Sequence, residues 1–184
     1  MSQPVTSADQ QRLLVIARRA LEARVCREAP PRFEHGGALD WRCGAFVTIH
    51  QSGDLRGCLG RIDADTALGE TIARLAASVA DSDPRFEPVS PHELPALDIE
   101  ISILTPEREV VSIDEIEIGR HGVIVEQGAR RGLLLPQVAA EQRWDREAFV
   151  SHTCVKAALP PDAWRRGVRI LVFEAQVFGE NSQA

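Results

Sequence analysis

The chain has 184 residues, 44% hydrophobic and 26% charged, the composition of one globular domain or two closely packed lobes rather than of a disordered or fibrous protein. Its net charge of −6 argues against a nucleic-acid binder working through bulk electrostatics, and the basic pairs Arg130-Arg131 and Arg165-Arg166 are too short to reverse that. In chain order, Ser7 with Gln10 reads as a capping box, and Leu13, Leu14, Ala17, Leu21 and Val25 recur at helical spacing. Pro30-Pro31 is expected to end this first helix, and a polar, glycine-containing loop to run on to Asp40. Residues 45–49 are a short apolar strand, Gln51-Ser52-Gly53-Asp54 a turn, and 55–60 the returning strand. A second helix is predicted over 66–81, burying Leu68, Ile72, Leu75, Ala76 and Val79, with Asp83-Pro84 as its stop. Ser90 and Glu93 form another capping-box pair and predict one short helical turn.

Residues 97–104 alternate cleanly. Leu97, Ile99, Ile101 and Ile103 share one face and Asp98, Glu100 and Ser102 the other, which predicts a strand closed by Thr105-Pro106. Strands at 123–126 and 132–135 flank the hairpin-like Gln127-Gly128-Ala129-Arg130. A third long helix is predicted over 145–157 with Phe149, Val150, Cys154 and Ala157 inward, ended by Pro160-Pro161. Residues 168–178 are almost continuously apolar and predict a strand buried on both faces. Hairpins dominate the connections, so the sheets should be antiparallel and the fold class α+β.

The four cysteines, Cys26, Cys43, Cys58 and Cys154, have neither CxxC nor metal-finger spacing, and His35, His50, His92 and His152 show no HxH or HxxxH pairing, so no metal site is expected. There is no P-loop, GxGxxG or GxSxG, and no cofactor is expected. The first residues lack an apolar core of signal-peptide type and no apolar run approaches a membrane span, so the cytoplasm, with reduced thiols, is the expected compartment.

The most informative stretch is Leu55-Arg56-Gly57-Cys58-Leu59-Gly60. Glycines on both sides of Cys58 allow close backbone approach, and Arg56, two residues upstream on a strand, should share the Cys58 face and supply a fixed cation. A thiolate could be stabilised there. The same residues equally describe a plain hairpin strand, with Cys58 as a small buried side chain.

This hexapeptide resembles the hallmark of the AMMECR-one domain. Further blocks resemble that family in the family's order over residues 10–180. They are Asp83-Pro84-Arg85-Phe86, Glu100-Ile101-Ser102-Ile103-Leu104-Thr105-Pro106, Gly119-Arg120-His121-Gly122, the run from Arg131 to Ala139, and Trp144 with Phe149 and Cys154. Leu59 stands where isoleucine is common and Ala158 where glycine is usual. The resemblance implies a single AMMECR-one domain over 1–184, two-lobed and α+β. Its larger lobe is built from both chain ends and its smaller antiparallel lobe from the middle. Prokaryotic members are often called AmmeMemoRadiSam system protein A. They accompany, or are fused to, a Memo-like protein and a radical SAM protein, which implies those partners.

The candidate site follows from these motifs. Cys58 is the candidate nucleophile and His121, on a turn between strands, the candidate base, with a solvated turn histidine as the plainer reading. Arg56, Gly57, Gly60, Arg85, Glu100 and Gln137 are candidate binding residues. Arg85 is expected to pair with a carboxylate, and Trp144 to pack in a core. Two functions stay open. One is a pathway component or binding protein that presents the 55–60 surface to Memo-like and radical SAM partners, or to a small-molecule or peptide ligand. The other is a thiol-dependent enzyme with Cys58 in a cleft between the lobes.

Overall fold

Helix α1, Ser7–Cys26, buries Leu13, Leu14, Ala17 and Leu21 along one stripe, each contributing about 1.5–3 kcal/mol in the larger side chains. Its N-cap is Thr6, not Ser7: the Thr6 hydroxyl accepts from the Asp9 N–H, and Gln10 turns back to donate to the Val5 carbonyl. The helix stops before Pro30-Pro31, because Arg27 adopts the left-handed region (φ 58°) and its N–H and that of Glu28 return to carbonyls of the last turn. The computed structural model describes residues 4–32, 35–62 and 65–181; the loop expected up to Asp40 therefore lies partly outside the described residues, and its end, Gly37–Asp40, is a 3-10 turn.

The chain divides into two units, one of Met1–Leu104 with Gln176–Ala184 and one of Thr105–Ala175. In the first, β1 (Ala45–Gln51) lies between β2 (Asp54–Arg61) and β3 (Leu97–Leu104), antiparallel to both, so β2 is an edge strand. Helix α2 (Leu68–Val79) and α1 cover the sheet face that carries Val47, Ile49, Ile99 and Ile101, forming one core. Arg18 of α1 donates to the Leu97 carbonyl at 2.7 Å and pairs with Glu180, whose carboxylate also accepts from the Ile99 N–H at 2.9 Å. The β1–β2 turn places Ser52 and Gly53 at positive φ (55° and 89°), as a tight hairpin requires.

The second unit is built on β7 (Arg169–Gly179), which begins here and ends in the first unit. Short β4 (Arg108–Val110) pairs along one side of it, and β5 (His121–Gln127) along the other, followed by β6 (Arg130–Leu134). Helix α4 (Arg146–Lys156) is capped by Asp145, which accepts from the Ala148 N–H at 2.8 Å, and it buries Phe149, Val150 and Cys154 against Val123 and Val125. A short helix α3 (Pro136–Glu141) precedes it and carries Gln137. The α+β class is observed, and every register-assigned strand pair is antiparallel. The expectation that β7 is buried throughout is corrected: 170–173 are buried, 174–176 are half-buried and Val177 is 46% exposed.

Candidate functional site: the Cys58 edge

Cys58 lies at the centre of β2. In the hairpin register Thr48 of β1 stands opposite Cys58, and Glu100 of β3 stands opposite Thr48, so the three form one row across the sheet on the face away from α1 and α2. The Thr48 hydroxyl donates to Cys58 Sγ at 3.3 Å. Glu100 is half-buried on this row.

At an edge strand half the backbone N–H groups point away from the sheet and need partners. The Cys58 N–H finds its partner in Asp83, whose Oδ2 accepts it at 2.9 Å. Asp83 is 4% exposed, and its carboxylate also accepts from Arg85 Nε (2.9 Å), Arg85 Nη2 (2.7 Å) and the Arg85 backbone N–H (3.1 Å). These bonds, the Arg85 side chain first, hold the Asp83 carboxyl well below the usual carboxylate range against the opposing push of burial. Arg85 is raised above the ordinary arginine range, chiefly by its hydrogen bonds to Asp83. The Asp83-Pro84-Arg85-Phe86 turn thus does more than end α2. It clamps the Cys58 backbone and brings a guanidinium to its side.

Arg56 is placed differently from expectation. The register of the hairpin shifts by one between Ile49 and His50: His50 pairs with Leu55 and Ile49 with Gly57, leaving Arg56 as the extra residue of a bulge. Its guanidinium runs to Glu93, at 2.8 Å and 3.3 Å, and to the Glu87 carbonyl at 3.0 Å. Glu93 also accepts from the Ser90 N–H and hydroxyl, which is only half of the expected capping box, since the Glu93 N–H donates to the Ser90 carbonyl and the 3-10 turn Leu94–Ala96 starts after Glu93 with no side-chain cap. The Glu93 carboxyl is drawn down to about 2, first by Arg56. The Phe86 ring stands between the two ion pairs, 5.9 Å from Arg56 Cζ and 5.4 Å from Arg85 Cζ. Arg85, rather than Arg56, is therefore the cation tied to Cys58, through the Asp83 carboxylate that both share.

Both glycines have steric reasons. Gly57 is buried beneath Val79 of α2, where a methyl group would sit 3.1 Å from Val79 Cγ2. Gly60 stands opposite Phe46, whose ring crosses it so closely that a Cβ would lie 2.0 Å from a ring carbon.

The remaining candidates lie in the other unit. His121 is 6% exposed, not a solvated turn residue, and its Nδ1 accepts the Glu117 N–H at 3.1 Å. That bond commits one ring nitrogen to the local backbone. Gln137 is half-buried near the start of α3. Trp144 packs against the second core and stacks on His152, with centroids 3.9 Å apart and planes 5° from parallel. Cys154 is core and Cys26 exposed, while burial raises the Cys43 thiol to about 11. Among the described residues no group of three or more His, Cys, Asp or Glu could hold a metal ion. None of the helices described is long and apolar enough to cross a membrane.

Thr48, Asp83 and Glu93 are the site residues that sequence reasoning missed. A turn at Ser52-Gly53 counted without a bulge pairs Thr48 with Gly57, and only the bulge moves it opposite Cys58. Asp83 carries a signal, an acid two residues before an arginine, that is masked by the helix-stop signal of Asp83-Pro84 itself.

The chain has relatives both in sequence and in fold. A model of the AMMECR1 family matches residues 14–178. Protein Mbar_A1807 of Methanosarcina barkeri is 41% identical over 96% of this chain and 92% of its own length. Protein MK0488 of Methanopyrus kandleri is 41% identical over 98% of this chain and 92% of its own. The crystal structure of uncharacterised protein PH0010 from Pyrococcus horikoshii superposes with a TM-score of 0.83 at 37% identity, covering 92% of this chain and 90% of that one. With the match running from α1 to the end of β7, the chain belongs to the AMMECR1 family.

Proposed function

We propose that the chain is a cytoplasmic binding component of a pathway, and that it presents the 55–60 edge to a Memo-like protein and a radical SAM protein. The observation that carries this reading is the investment of a buried carboxylate, Asp83, in fixing the Cys58 backbone and the Arg85 guanidinium, while the hydrogen-bond partner of the sulfur among the described residues is the Thr48 hydroxyl, which donates to it. A rigid edge with an exposed Leu55 (43%), a half-exposed guanidinium and an aromatic ring beside it has the mixed apolar and cationic character of a docking surface. The test is capture of the purified Memo-like and radical SAM proteins of the same organism on the immobilised chain. Capture that falls in the double variant Leu55→Asp, Arg85→Glu but persists in Cys58→Ala is the expected outcome. Absence of capture, or capture indifferent to the double variant, sinks the proposal.

A second reading, a thiol-dependent enzyme with Cys58 as nucleophile, rests on the Thr48 hydroxyl. It is aimed at Sγ, and such a hydrogen bond is accepted better by a thiolate than by a thiol. Iodoacetamide labelling of native protein, resolved by mass spectrometry, separates the two. Faster labelling of Cys58 than of exposed Cys26 at neutral pH favours the enzyme, and slower labelling favours the docking surface.

A further inference from the structure

Away from the Cys58 edge, α1 carries a second stripe that the fold does not use. Gln11, Val15 and Arg19 follow one another at one-turn spacing, with Arg12 and Ile16 beside them, and they line a cavity of about 350 Å³ closed on the other side by Pro31, Arg32 and Leu39. That volume lies at the lower end of small-molecule sites. The floor is apolar. Ile16 and Leu39 are buried beneath it, while the branched side chain of Val15 is left 46% exposed, one of few large apolar groups open to solvent.

The walls are cationic. Arg12 is fixed by Asp9 at 3.0 Å and by the carbonyls of His35 (2.9 Å) and Gly36 (3.3 Å). Asp9 is in turn fixed by the Ala38 N–H, the bond that does most to lower its pKa, so the Arg12 anchor stays ionised. The guanidinium groups of Arg19 and Arg32 are exposed, have no ion pair among the described residues, and line the same hollow. Among the described residues that line it there is no carboxylate. On a chain of net charge −6, the Arg19 and Arg32 guanidiniums, without an ion pair among the described residues and lining one hollow with an apolar floor, set a local field that attracts an anion, and their forked donors suit a planar or tetrahedral oxyanion.

We propose that this cavity binds a small organic anion, with the apolar body on Val15, Ile16 and Leu39 and a phosphate or carboxylate between Arg19 and Arg32. The site is independent of the Cys58 edge and of its proposed partners.

The test is a titration of the full isotope-labelled chain, followed by amide resonances, with phenyl phosphate, benzoate, inorganic phosphate and benzyl alcohol. Phenyl phosphate or benzoate should give saturable shifts confined to 11–19 and 35–39, and whichever binds tighter names the headgroup. Inorganic phosphate and benzyl alcohol should bind at least about tenfold more weakly, since each lacks one half of the recognition. Arg19→Gln and Arg32→Gln should each weaken the preferred anion about five- to tenfold, as expected for a lost charge-assisted hydrogen bond. Val15→Asp, at an exposed position, should abolish binding with the rest of the spectrum unchanged, and Cys58→Ala should leave it intact. The proposal is overturned by the absence of saturable shifts in these segments, by inorganic phosphate matching both organic anions, by arginine variants that bind like the parent, or by loss of binding in Cys58→Ala.

Discussion

Each unit contains a glycine directly opposite a phenylalanine on the neighbouring antiparallel strand: Gly60 faces Phe46 in the first, Gly122 faces Phe173 in the second. In both, the ring lies across the glycine, and a methyl group there would meet ring carbons at 2.0 Å and 2.2 Å. The device is the same and its surroundings are opposite. Gly60 is exposed on an edge strand, two residues from a cysteine whose N–H is held by a buried carboxylate. Gly122 is buried between strands, next to a histidine tied to its own backbone, and Phe173 is only 2% exposed. One pair is buried. The other finishes a surface on which Cys58, Arg85 and Phe86 are held in place. A local sequence pattern therefore does not announce function, and the strand's position in its sheet decides which role the pattern serves.

The comparison can be broken most severely at Asp83. Asp83→Ala removes the acceptor of the Cys58 N–H and the partner of Arg85 together, and should cost about 3 kcal/mol in urea unfolding. A loss below about 1 kcal/mol would show that the edge needs no clamp. Next, Gly122→Ala forces a methyl group into a ring that has nowhere to move, and about 2–3 kcal/mol should be lost in the same measurement. Acid comes third. Folding lowers Glu93 from 4.5 to about 2, so its stabilisation is fully present above pH 4.5 and is lost as pH falls toward 2. Asp83, shifted in the same direction, adds to this loss. Glu93→Gln should flatten this part of the stability–pH curve by on the order of 2 kcal/mol, and an unchanged slope would remove the Arg56–Glu93 pair from the account. The smallest effect is Gly60→Ala, at about 1 kcal/mol, because half-exposed Phe46 can swing toward solvent. Equal costs at Gly60 and Gly122 would mean that the edge is as tightly packed as the interior.

Most elements were legible because their signals are local. The alternation of Leu97–Leu104 and the Asp145 cap with its Phe149, Val150 and Cys154 stripe specify a strand and a helix whatever surrounds them. Helix α3 was missed because six residues beginning with proline carry too little period to read, and three-residue β4 for the same reason. The site was legible only in part. Cys58, Arg85 and the two glycines were singled out, but the assignment of Arg56 to the Cys58 face followed the regular two-residue period of a strand, and the bulge broke that period.

Sequence alone thus determined the α+β class, the hairpin that carries Cys58, the α2 stripe and the family resemblance, all of which depend on residues close together in the chain or on ordered blocks along it. Tertiary structure decided what Cys58 touches. Thr48 reaches its sulfur through a one-residue register shift, Asp83 reaches its N–H across 25 positions of chain, and Glu93 draws Arg56 away across 37. Those partners are chosen by the unmet hydrogen bonds of an edge strand and by the burial of a carboxylate, and neither exists until the sheet has formed.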